Sequence, residues 1–187
     1  DLASDDLIRY AVDKGWCRKK SEFNFSRCYS DPVMNYLSGS ALRLECTRRL
    51  LEHHTGLLTA NTMMDILRQH PSARDENWSP DNGLKKSQVC MHVGAGPIRI
   101  NQTTGSMVSE IGKDDQVHWF TATSSPCLSV FKPIWITSGI PIKEPFPQGM
   151  YDPSTLWWRH EAFVRKAVQN FPVIRSVFNH FSEKCIN

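Results

Sequence analysis

The sequence has no apolar run near the roughly 18 residues that a membrane-spanning helix needs. Its opening residues, DLASDDLIRY, offer neither the basic segment nor the apolar stretch of a secretory leader. A soluble protein is therefore expected. Basic clustering is equally sparse: Arg18-Lys19-Lys20 is followed at once by Ser21-Glu22, and the net charge is only +3. No sustained cationic footprint is present, so nucleic acid is not an expected partner. The six cysteines (Cys17, Cys28, Cys46, Cys90, Cys127, Cys185) lack the paired C-x-x-C spacing of zinc ribbons. Arg159-His160-Glu161 is not the H-E-x-x-H pattern, and the other histidines show no ligand spacing. No metal and no cofactor are expected. Gly94 and Gly96 do not make a phosphate loop, because Pro97 and a predicted strand follow where a helix N-terminus is needed.

What is present is an ordinary globular composition: 187 residues, 40% apolar and 10% aromatic, enough for one compact domain. An even cysteine count leaves disulfides open without fixing their connectivity. Three N-x-S/T triplets, at Asn24, Asn77 and Asn101, are glycosylation candidates. With the cysteines they favour a secretory or lysosomal setting over a cytoplasmic one, although Pro80 after Asn77-Trp78-Ser79 disfavours the middle site. The chain begins at Asp1 rather than Met, as expected of a processed product or of part of a longer protein.

Periodicity predicts a helix over 4–14, with acids in its first turn and Gly15 as its stop. A second over 40–54, ending at Gly56, and a third over 59–70, ending at Pro71, read as a helical hairpin with Leu and Met packed inward. A polar passage over 72–84 reads as a surface loop. Strands are predicted over 87–93, 98–111, 117–123 and 128–136, the last two a hairpin in which Pro133 must lie on an edge or at a bulge. After a proline-rich passage, helices are predicted from Asp152-Pro153 and again beyond Pro172. The blocks are thus helices over 4–70, antiparallel strands over 87–136 and helices over 153–185, an α+β class.

Two places invite a chemical reading. Cys127, in SSPCLS between two strands, is either a nucleophile or a small buried or disulfide-bonded side chain closing a turn. Cys90 and His92, two apart on a predicted strand, share a face; they read as a thiol and its base or as two core side chains. The Trp157-Trp158 pair beside Arg159 reads as core or interface more readily than as a stacking site.

Six blocks together resemble a known family. They are LIRYAVDKGW (7–16), FNFSRCYSD (23–31), LLTANTMMDILRQHPS (57–72), QVCMHVGAGPIRINQTTGSMVSEI (88–111), HWFTATSSPCLSVFKPIWI (118–136) and YDPSTLWWRHE (151–161). In this order they look like the C-terminal portion of the dipeptidase family of N-terminal-nucleophile hydrolases that includes the secernins. The resemblance implies a four-layer αββα fold with antiparallel sheets and a cysteine-type amidohydrolase acting on dipeptides or other small amides. The family's nucleophile is a cysteine at the mature N-terminus, with its own α-amine as general base. No cysteine lies within 1–6, so the nucleophile is expected on a preceding segment or an N-terminal companion chain, and Cys127 falls to the frame. The resemblance further suggests that Arg43, in SGSALR, stands near the active thiol as a fixed cation. The alternative is a non-catalytic scaffold or binding protein of the same fold, and a homo-oligomer is left open.

Overall fold

The computed structural model describes residues 4–70, 78–80, 89–94, 100–113, 115–139 and 145–186; of the side chains of Asp5, Leu37 and 180–186 nothing is said. It is a mixed α+β structure. Seven α-helices and one three-stranded antiparallel sheet are found among the described residues. The chain divides into two units, 1–41 and 42–187.

The first unit is held by aromatic contacts. Helix α1 (Asp5–Asp13) starts at Ser4, whose hydroxyl accepts from the Leu7 N–H, and the chain turns at Gly15 with φ of 71°. Trp16 then packs edge-on between Tyr10 and Tyr29, at 5.6 and 5.2 Å. The Tyr29 hydroxyl donates to the Leu7 carbonyl at 2.7 Å, fastening α2 (Phe25–Tyr29) to α1. Asp31 caps α3 (Pro32–Ser38) through the N–H groups of Val33 and Met34, and Pro32 occupies its first turn.

The second unit carries the core. Thr59 caps α5 (Ala60–Leu67), as its place before the apolar run predicts. Met64 of α5 packs with Val108 and Phe131 against the sheet. The sheet runs β1 (Met107–Ile111), β2 (Gln116–Phe120), β3 (Lys132–Ile134), with Val108 opposite Trp119 and His118 opposite Ile134. Pro133 sits on β3, an edge strand, where its missing N–H costs no ladder bond. At the β1–β2 turn a Cβ on Gly112 would lie 2.9 Å from the Asp115 carbonyl oxygen, so only glycine closes that turn. A larger cluster joins Trp78, Cys90, Cys127 and Leu128 to Val164 and Ala167 of α6 (Leu156–Val168) and Phe171 of α7 (Phe171–Ile186).

Four expectations fail. The helix predicted from Asp152-Pro153 starts instead at Leu156 with Thr155 as its cap, because the Asp152 carboxylate is held in a turn by the Ser154 N–H and hydroxyl. Helix α4 (Ser40–His53) forms, but none of its residues is buried, and Leu42 and Leu44 are 60% and 70% exposed. Two residues apart, they point to opposite sides of a helix and make no stripe to pack inward on α5. Residues 89–93 carry no strand: the Cys90 N–H donates singly to the Gln69 carbonyl, and the Met91 N–H is taken by the Thr103 hydroxyl rather than by a backbone carbonyl, so no repeating backbone ladder forms. Among the described residues the strand predicted over 98–111 is confined to β1, with 98 and 99 outside them, and that over 128–136 is confined to β3, since the 3-10 turn over 126–128 takes its first residue. Ser87 and Gln88 of the predicted strand and the 72–77 and 81–84 stretches of the predicted loop lie outside the described residues.

No helix among the described residues is long and apolar enough to cross a membrane.

Leu128 is fully buried whereas Leu44 is largely exposed. Leu128→Ala is expected to lower unfolding free energy by about 2–5 kcal/mol, and Leu44→Ala to change it by less than about 0.5 kcal/mol. Urea denaturation of the two variants checks this; equal losses would contradict the core described.

Candidate functional site

Four segments are drawn together by backbone bonds of a few ångströms. The Cys90 N–H donates to the Gln69 carbonyl at 3.1 Å, the Thr103 N–H to Met91 at 3.0 Å, and the Ser125 N–H to Thr103 at 2.9 Å. Arg68 adds a side-chain clamp, its Nε donating to the Pro126 carbonyl at 3.2 Å while its guanidinium lies 4.9 Å over the Phe131 ring. Each tether stands one or two residues from a chemically active side chain. Together they bring His70, Cys90, His92 and Cys127 into one buried group whose ligand-type atoms all lie within 4.8 Å of one another.

Its geometry centres on His92 Nε2. That atom is 3.1 Å from His70 Nε2, 3.4 Å from Cys90 Sγ and 3.3 Å from Cys127 Sγ. On the far side of the ring, Nδ1 meets Ser125 Oγ at 3.5 Å. His70 lies flat against Trp78, with ring centroids 4.3 Å apart, and Phe171 presents its edge to both imidazoles. Cys90 is wholly buried, and His92, Cys127 and His70 are nearly so. The centre is buried and walled by aromatic faces.

Burial acts on each group according to its charge. It lowers the His70 pKa by disfavouring imidazolium, despite the opposing hydrogen bond to Cys90. It raises both thiols, but for Cys90 hydrogen bonds from Cys127, His70 and His92 outweigh it and bring the pKa well below the usual thiol value. Cys127 is pushed well above that value by burial and by its hydrogen bond to Cys90. The first proton lost by the pair therefore leaves from Cys90.

A second polar centre lies behind the 121–129 turn. Glu161 of α6 is 2% exposed, and its carboxylate accepts from Ser124 at 2.7 Å, from Gln102 at 2.9 and 3.0 Å, and from Arg165 at 3.0 Å. Burial alone raises a carboxyl pKa; here the Ser124, Arg165 and Gln102 bonds overcome it and hold the group below its ordinary value. The neighbouring His160 donates from Nε2 to the Ser124 carbonyl at 2.9 Å, with Ser129 Oγ 3.0 Å away. Burial keeps its pKa lowered.

Of the side chains singled out in the sequence, Cys90, His92 and Cys127 meet. The expectation of no metal rested on the lack of paired spacing, whereas the fold gathers ligand-type side chains separated by 20, 2 and 35 residues in the chain. Arg43 stands part-buried in the first turn of α4, its carbonyl accepting from Thr47. Cys17 donates to the Lys19 carbonyl at 3.1 Å and lies within hydrogen-bond reach of Cys28 in the first unit; Cys46 is on α4. The five described cysteines are thiols. Asn24 caps α2 by accepting from the Arg27 N–H, and Asn101 is exposed. Asn77 and the Cys185 side chain lie outside the described residues. The sequence reading missed His70, Ser124 and Glu161, because their partners come from distant segments; only the Cys90-x-His92 spacing was a local signal. No family model matches this chain, and no solved structure matches it.

The lowered Glu161 pKa has a definite sign. The unfolded chain holds the proton more tightly, so the carboxylate contributes stability above about pH 4.3 that is lost as pH falls through the lower folded value. Glu161→Gln is expected to cost about 1–3 kcal/mol at pH 7 and to flatten the acid limb of the stability curve between about pH 5 and 3. Urea titrations across that range decide; an unchanged acid limb would remove Glu161 from this role.

Proposed function

We propose that the chain is the C-terminal part of a cysteine-type hydrolase of four-layer αββα architecture that acts on dipeptides or other small amides. The reading rests on the resemblance, and one observation supports it. Four of the six resembling blocks converge on adjacent buried centres: the 57–72 block supplies His70, the 88–111 block Cys90, His92 and Gln102, the 118–136 block Ser124 and Cys127, and the 151–161 block His160 and Glu161. The segments that carry the resemblance are also the segments that make this chain's buried polar centres.

Burial also sorts the thiols by role. A nucleophile must meet its substrate and a nearby base, while Cys90 is wholly buried and Cys127 is 4% exposed. On this reading both belong to the frame. Amide attack falls to an N-terminal cysteine on a preceding segment or companion chain, whose α-amine, with a pKa near about 8, takes the thiol proton. Arg43 would then favour the thiolate and polarise the scissile carbonyl.

Purification of the complete protein followed by N-terminal sequencing is expected to reveal a chain beginning with Cys, together with hydrolysis of simple dipeptides. Arg43→Ala in that material is expected to lower kcat/KM by about 10- to 100-fold with little change in melting temperature. A complete protein with another residue at that N-terminus would favour the scaffold reading, and unchanged turnover would take Arg43 out of the site.

A further inference from the structure

We propose that His70, Cys90, His92 and Cys127 are the four ligands of a structural zinc site. The first support is donor chemistry. Two imidazoles and two thiols are a common ligand set for tetrahedral zinc, and four protein ligands leave no open position for water or substrate, as in closed structural sites.

The second support is geometry. With zinc–nitrogen bonds of about 2.05 Å and zinc–sulfur bonds of about 2.3 Å, a tetrahedron has N···N edges of about 3.3 Å, N···S edges of about 3.6 Å and S···S edges of about 3.8 Å. The edges meeting at His92 Nε2 are 3.1 Å to nitrogen and 3.4 and 3.3 Å to the two sulfurs. A few tenths of an ångström of expansion would admit the ion.

The third support is hydrogen-bond arithmetic. One imidazole nitrogen has a single hydrogen or a single lone pair, so it can serve one of three such neighbours well and leaves the others poorly satisfied in a buried site. A central cation engages all four donors at once. His70 is already aimed for this: its Nδ1 is buried without a hydrogen-bond partner, and stacking on Trp78 holds the ring with Nε2 directed at His92. Ser125 Oγ, at 3.5 Å from His92 Nδ1, is the outer partner that fixes that ring. On binding, two thiol protons pass to solvent, and the two thiolates cancel the +2 of the ion, so a neutral assembly occupies the buried volume.

The test uses the complete protein, reduced and stripped with a chelator, then titrated with zinc chloride and, separately, with cobalt(II). One zinc per chain is expected, with a rise in melting temperature of about 5–10 °C at free zinc about 100-fold above Kd. The cobalt form should show the thiolate-to-metal absorption and the intense visible bands of a tetrahedral sulfur-ligated ion. Cys127→Ser and Cys90→Ser should each weaken zinc binding by more than about 100-fold, Ser125→Ala by about 10-fold, and Cys46→Ser not at all. If the cysteine variants fail to fold, the cobalt spectrum of the unsubstituted protein decides. Folded protein that binds no zinc, a cobalt spectrum without thiolate absorption, unaltered zinc binding in the folded cysteine variants, or a Cys90–Cys127 disulfide in the freshly isolated protein would each overturn the proposal.

Discussion

One nitrogen atom stands at the centre of the buried polar cluster of the second unit. His92 Nε2 has another imidazole and two thiols within 3.4 Å, each delivered by a different stretch of chain or a different side of a turn. Four polar side chains enter an apolar interior there, and such groups are costly in that setting unless they satisfy one another. The backbone tethers from Gln69, Met91 and Thr103 and the Trp78 and Phe171 rings follow from that need: the tethers set the spacing, and the rings exclude water. This explains why 89–93 is irregular. Its bonds go singly to the Gln69 carbonyl and, in part through a side-chain hydroxyl, to Thr103, so no continuous backbone ladder forms.

The Glu161 carboxylate holds the other side of the same turn. Ser124, bonded to Glu161, is followed by Ser125, which has a φ of 56° and lies beside His92; Ala122, with a φ of 51°, begins the turn. Left-handed backbone at two residues other than glycine costs about 1–3 kcal/mol each, and it persists where the surroundings fix it. Here the surroundings are buried hydrogen bonds from Thr121, Thr123 and Ser129, together with the carboxylate behind them. Position 127 is thereby set to within hydrogen-bond distance of His92. Helix α6 thus contributes both apolar residues to the core and a fixed negative charge to the turn.

The legibility of the chain divides along range. Local signals gave true elements: the helix that begins after Ser4, the one that opens at Thr59, Gly15 as a stop, and Pro133 on an edge strand. Where alternation was the only guide, the prediction failed at the described residues 89–93, because two residues of shared face say nothing of what binds the backbone between them. The candidate site was half visible. Cys90 and His92 announce themselves by spacing, and Cys127 by its turn, but His70 is an ordinary residue before Pro71 until Trp78 and His92 surround it. Glu161 looks like a surface acid in an amphipathic helix, and only the arrival of Gln102 and Ser124 makes it a buried anion.

The resemblance to a hydrolase family and the buried His-Cys centre bear on different proposals, the first on the chemistry and the second on what holds these residues in shape. The most direct test of the second is zinc K-edge X-ray absorption on the zinc-loaded complete protein. Two sulfurs at about 2.3 Å and two nitrogens at about 2.0 Å are predicted around the ion. A shell of oxygen and nitrogen alone would contradict the convergence of Cys90 and Cys127 on His92.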